Sequence, residues 1–130
     1  MEKTCKDDIL CGINIAKDGK EMTDLEKKHT PVIEAPNLAK AGEPFEVVVE
    51  VGKLLKHPNE PAHFIEWIEL YSGDTFLMRV DLTAELTDPK VTIPIRLTHP
   101  HTMKARARCN VHGVWEGEKD LTEFEGFGSC

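Results

Sequence analysis

No stretch of this 130-residue chain approaches the roughly 20 consecutive apolar residues that a membrane-crossing helix needs, so no membrane partner is expected. The first eight residues, MEKTCKDD, contain no apolar core of the kind a secretory signal carries, and a cytoplasmic location is the resulting expectation. An excess of positive charge is also missing. Sixteen lysines and arginines face 23 aspartates and glutamates, a formal charge of −7. A nucleic-acid binder needs a net basic face to displace counterions from phosphates, so that class is set aside. There is no internal repeat, no low-complexity tract and no proline- or serine-rich linker, which leaves one domain over residues 1–130. The four cysteines, Cys5, Cys11, Cys109 and Cys130, form no C-x-x-C pair. Without an export signal they read as reduced thiols rather than bridges.

Helical periodicity is absent from every long segment, whereas period two is frequent. Phe45, Val47, Val49 and Val51 share one face of a run whose other face carries Glu46 and Glu50. The same alternation places Phe76, Met78, Val80 and Leu82 together, then Val91, Ile93, Ile95 and Leu97, then Met103, Ala105, Ala107 and Cys109. Such patterns belong to half-buried antiparallel strands. Residues 31–34 and 63–71 read as two more strands. Turn signals at Ala41-Gly42-Glu43-Pro44, Ser72-Gly73-Asp74 and Thr87-Asp88-Pro89 separate the runs. Pro94 marks its strand as an edge or a bulge. Six or seven short strands predict an all-β fold, an antiparallel β-sandwich over residues 29–130. Residues 1–28 read as an irregular or partly helical lead-in.

The histidines and one cysteine fall at strand ends and in loops. Cys109 keeps the parity of buried side chains at the end of its strand, and His112 follows in the loop as a C-x-x-H pair. A thiolate and an imidazole so spaced are able to share a metal ion. His57 and His63 flank a loop stiffened by Pro58 and Pro61, and His29 opens the first predicted strand. Each of these alone is an ordinary surface feature; together they make a candidate set of four nitrogens and one sulfur. Five protein donors exceed the usual tetrahedral zinc set and suit iron, with a sixth position left for a small ligand. Blue copper is disfavoured because Met1, Met22, Met78 and Met103 all precede Cys109, leaving no axial thioether downstream.

Three segments, EKKHTPVIE (26–34), KHPNEPAHFIEWIELY (56–71) and CNVHGVWEG (109–117), resemble the superoxide reductase family, also called neelaredoxins, and the iron domain of desulfoferrodoxins. The resemblance runs from about residue 26 to residue 117. It implies an immunoglobulin-like β-sandwich and one non-haem iron per chain. His29, His57, His63 and His112 would be the imidazole ligands and Cys109 the axial thiolate. The implied activity is one-electron reduction of superoxide to hydrogen peroxide, with a rubredoxin-like protein as electron donor and a homodimer or homotetramer as the assembly. Backbone amides near Val111 and His112 are the expected hydrogen-bond donors to the sulfur.

Lys28, directly before His29, matches a lysine the family uses near iron, and Lys27 and Lys56 are further candidates for a local positive patch. The family pattern E-K-H departs here to Glu26-Lys27-Lys28-His29, so Lys27 occupies the slot of a carboxylate that caps the ferric iron; Glu26, one residue back, is the candidate cap if a flexible loop carries it to the iron, and water or hydroxide is the alternative. His99 and His101 read as surface residues, and Trp67 and Trp115 as core or site-packing residues. The competing readings are a zinc-stabilised binding or structural module and a metal-free interaction domain.

Overall fold

A computed structural model describes residues 8–127. These residues form ten strands and one short helix: β1 (Ile13–Ile15), α1 (Asp24–His29), β2 (Val32–Glu34), β3 (Leu38–Lys40), β4 (Phe45–Glu50), β5 (Ile65–Ser72), β6 (Thr75–Asp81), β7 (Lys90–Ile95), β8 (Met103–Cys109), β9 (Gly113–Lys119) and β10 (Glu123–Glu125). Among the described residues no helix is long and apolar enough to cross a membrane.

The strands make a five-stranded sheet ordered β1-β9-β8-β5-β6, a three-stranded sheet ordered β2-β4-β7, and a β10-β3 pair. Val47 and Val49 of β4, Ile68 and Leu70 of β5, and Met103 and Ala105 of β8 have no exposed surface. They belong to one buried cluster fed by both larger sheets. Each large apolar side chain there contributes about 1.5–3 kcal/mol by leaving water. The outward face of the five-stranded sheet is tied across strands instead. Arg106 reaches Glu116 at 3.0 Å and its guanidinium lies 4.9 Å over the Tyr71 ring, while Arg79 lies 4.8 Å over Trp67.

The period-two runs therefore became strands with the expected buried faces in β4, β7 and β8. Pro94 sits on β7, an edge strand, where its missing N–H breaks no ladder on the outer side. Four expectations change. The fold mixes parallel with antiparallel pairing, because β1 runs parallel to β9 and β10 parallel to β3. The segment before residue 29 is helical in part, as expected, through α1, but it also contributes a strand, β1. His29 is the last residue of α1 rather than the first of a strand. Phe76 points outward and is 55% exposed, because the β5–β6 register shifts at Leu70/Tyr71 and the alternation slips by one.

The thiol reading also changes for one cysteine. Cys11 is disulfide-bonded, and its partner lies outside the described residues. Of the other three cysteines, Cys109 is a buried free thiol, and Cys5 and Cys130 lie outside the described residues.

Candidate metal centre

Three loops and one helix end meet beside the end of β8. Thr23 caps α1 by accepting the Glu26 N–H at 3.1 Å, and Glu26 Oε1 accepts the Thr23 N–H at 2.8 Å, a reciprocal capping box. This box starts a six-residue helix that would otherwise be too short to hold, and the helix delivers His29 at its last position. The His29 ring is 1% exposed, and its Nδ1 lies 2.7 Å from the Leu25 carbonyl.

His57 is brought in by a turn at Gly52, whose φ of +88° suits glycine and where a Cβ would stand 2.8 Å from the His57 backbone nitrogen. His57 is 3% exposed and its Nδ1 lies 2.6 Å from the Pro58 carbonyl. His63 ends a tight turn in which Glu60 and His63 exchange backbone hydrogen bonds at 3.0 and 2.9 Å. Cys109 ends β8, fully buried, as the parity of that strand requires.

Donor atoms of His29, His57, His63 and Cys109 all lie within 4.8 Å of one another. His112 is beside them: its ring centroid is 4.8 Å from that of His29 and 5.0 Å from that of His63, and its Nδ1 is 3.7 Å from the Cys109 sulfur. Trp115 stacks on His29 at 5.3 Å and donates its indole N–H to the His112 carbonyl at 3.0 Å, so one indole packs the first ligand and steadies the last. Trp67 does not join the site; it sits on the outer sheet face under Arg79.

The electrostatics suit a cation. Burial is the main cause that lowers the pKa of both His29 and His57 from 6.5 to about 4, so both rings are neutral near neutral pH. With each Nδ1–H donated to a carbonyl, the proton-free Nε2 atoms face each other at 3.2 Å. Two lone pairs at that distance repel unless a cation lies between them. His63 Nε2 is buried and has no hydrogen-bond partner. Burial also raises the Cys109 pKa, opposed by hydrogen bonds from the Val111 and His112 amides, the two donors expected from sequence.

Burial is the main cause that lowers the pKa of His112, as of His57, and the charge of half-buried Lys28 adds to both. Lys27 is also half-buried, whereas Lys56 is exposed beside His57 on the rim of a cavity of about 410 Å³. Glu26 is not among the converging donors. Its second carboxylate oxygen accepts the Lys17 N–H at 3.0 Å, and its pKa is lowered chiefly by the backbone hydrogen bond from Thr23. His99 and His101 are exposed, their rings 6.2 Å apart, and they precede the start of β8, whose opposite end carries Cys109.

Sequence spacing assigns Asn110 no part. In the structure its side chain bonds the backbone on both sides of His63, through Phe64 N–H at 2.9 Å and the Ala62 carbonyl at 3.0 Å. The signal in the sequence is only that an amide side chain directly follows the cysteine.

Comparison with known proteins agrees with this geometry. The desulfoferrodoxin family model matches residues 21–118. A protein of Methanocaldococcus jannaschii, provisionally named a superoxide reductase, is 47% identical over 115 residues, covering 85% of this chain and 94% of the relative. A superoxide reductase of Pyrococcus horikoshii is 38% identical over 104 residues, covering 73% of this chain and 88% of its own. Among solved structures, a variant of the superoxide reductase (neelaredoxin) from Ignicoccus hospitalis is 38% identical with a TM-score of 0.74, covering 87% of this chain and 94% of that one. The matched span contains every one of the four converging donors, and the chain belongs to the desulfoferrodoxin family as a superoxide reductase of the neelaredoxin type.

Proposed function

We propose that this protein reduces superoxide to hydrogen peroxide at one iron held by His29, His57, His63, His112 and Cys109. The observation that carries the reading is the convergence of three imidazoles and one thiol within 4.8 Å on a chain of this family. The donor set fits iron: imidazole suits it, a single buried sulfur tunes it, and His112 beside the cluster completes five donors. Bound there, iron supplies a one-electron couple able to meet a small anion.

Superoxide takes up one electron and two protons and leaves as hydrogen peroxide. Lys28 offsets the unfavourable −7 charge of the chain by placing a cation beside His57 and His112. Its Nζ donates a hydrogen bond to the anion as negative charge accumulates, and solvent replaces the protons consumed. Val111 and His112 hold the Cys109 sulfur through their amides, limiting how much electron density it gives. Trp115 keeps water from the face of His29. Glu26 acts through α1, fixing the helix that delivers Lys28 and His29.

The same reading includes an immunoglobulin-like sandwich formed by the two larger sheets, supported by their shared core, and a single domain over residues 1–130. It also includes a rubredoxin-like electron donor, a cytoplasmic setting and a homodimer or homotetramer.

The test is metal analysis with a visible spectrum of the purified protein, repeated after oxidation and after ascorbate reduction. About one iron per chain, with a thiolate-to-ferric band that bleaches on reduction, is the expected result. Zinc, or no metal and no band after anaerobic iron reconstitution, overturns the reading in favour of a structural module.

A further inference from the structure

We propose that Asn110 is a positioning residue that holds Cys109 against His63, its carboxamide tying the turn that carries the sulfur to the turn that carries the imidazole. The proposal rests on the metal-centre reading above and extends it beyond the donors themselves.

Strand pairing alone does not place these two side chains together. The β5–β8 ladder pairs Ile65 with Cys109 and shifts register between Ile65 and Trp67. β5 begins at Ile65 and β8 ends at Cys109, so His63 lies beyond the last regular rung. Asn110 continues the ladder past that point. Its backbone N–H donates to the Phe64 carbonyl at 3.2 Å. Its Oδ1 accepts the Phe64 N–H at 2.9 Å, and its Nδ2 donates to the Ala62 carbonyl at 3.0 Å. A carboxamide carries one acceptor and one donor group, as a peptide does, and here it serves as an extra rung that brackets His63 on both sides.

His63 depends on this more than His29 or His57 does. His29 and His57 are each aimed by an Nδ1 contact to a carbonyl. No ring hydrogen bond of that kind aims His63 among the described residues, and its Nε2 has no partner. Its direction is therefore inherited from the backbone at residues 60–64, which is held by the Glu60–His63 turn and by Asn110. Because Asn110 directly follows Cys109, any slack in the carboxamide changes the sulfur and the imidazole together. Asparagine fits this place for a chemical reason: aspartate keeps the acceptor but faces the Ala62 carbonyl with a second acceptor, and alanine offers neither group.

The test compares the iron-loaded wild-type protein with Asn110→Ala, Asn110→Asp and Arg106→Ala. The last breaks the outer-face pair with Glu116 and controls for plain destabilisation. Two properties are read: the position of the thiolate-to-ferric band, and the rate of iron loss to a chelator. The expected result is a shifted band and iron loss at least about 10-fold faster for Asn110→Ala, an intermediate effect for Asn110→Asp, and neither change for Arg106→Ala. An unmoved band, or iron loss no faster than that of Arg106→Ala, overturns the proposal. A wild-type protein without any thiolate band overturns the metal-centre reading instead. Peptide-resolved alkylation of Cys109 by iodoacetamide in the metal-free proteins then judges Asn110 alone: faster modification in Asn110→Ala than in Arg106→Ala supports it, and equal rates overturn it.

Discussion

His29 and His57 face each other through Nε2 atoms 3.2 Å apart, while the Nδ1 of each is held against a backbone carbonyl. Neither nitrogen has a proton to offer the other, so the contact is repulsive until a cation enters. The protein stores a small strain at this point that metal binding relieves.

That arrangement sets a pH dependence for the metal-free protein. Both folded pKa values, about 4, lie below the ordinary 6.5. The unfolded chain binds more protons between those values, so the stability these rings contribute is present above pH 6.5 and lost as pH falls toward 4. The loss expected is on the order of 3 kcal/mol for each ring. Thermal unfolding of metal-free protein across this range measures it, and a flat profile contradicts the buried neutral pair. Iron release follows the same direction, since protonated imidazoles are no longer donors.

Glu26 has both carboxylate oxygens on backbone amides, those of Thr23 and Lys17. Glu26→Ala and Thr23→Ala should each lower stability by about 1 kcal/mol through loss of the cap. The ferric spectrum and its pH dependence should stay as in the wild type. A changed ferric spectrum in Glu26→Ala alone would show that the carboxylate reaches the iron after all.

Lys28 is the cation whose charge is felt at two of the imidazoles. Lys28→Ala should slow the second-order reaction with superoxide about 10-fold and flatten its dependence on ionic strength. Pulse radiolysis at several salt concentrations reads both quantities. Lys56→Ala, which removes an exposed charge on the rim of the neighbouring cavity, should change the rate much less. Equal effects of the two variants would mean that only the summed charge matters.

Gly113 has φ of +83°, and a Cβ there would lie 2.3 Å from the Ile9 carbonyl oxygen. Gly113→Ala should cost about 2 kcal/mol or more, from the left-handed backbone and the clash together. Amide exchange at residues 9–14 should rise, because β1 and the Asn14 side chain, which bonds the Ile9 and Val114 carbonyls at 2.7 and 2.9 Å, must shift with it. Unchanged exchange in a folded variant would show that the two segments are not coupled.

The buried faces of β4, β7 and β8, the edge position of Pro94 and the inward sulfur of Cys109 are legible in the sequence. Each follows from a period of two read along one segment, and that period reports which side leaves water. The pairing of His57 with His63 is legible too, because two prolines and a short loop keep them close. Other features depended on what distant segments bring to one another. The β1–β9 pairing joins residues about a hundred positions apart. The Glu26 carboxylate turned to the Lys17 amide because the chain before α1 folds back over the helix start. The Asn110 carboxamide found Ala62 and Phe64, 48 and 46 residues away. The sequence by itself determined the donor types, their spacing and the faces they stand on, since these are local properties of strands and turns. Only the tertiary structure decided how those donors are aimed, because the groups that aim them are hydrogen-bond partners supplied by other parts of the chain.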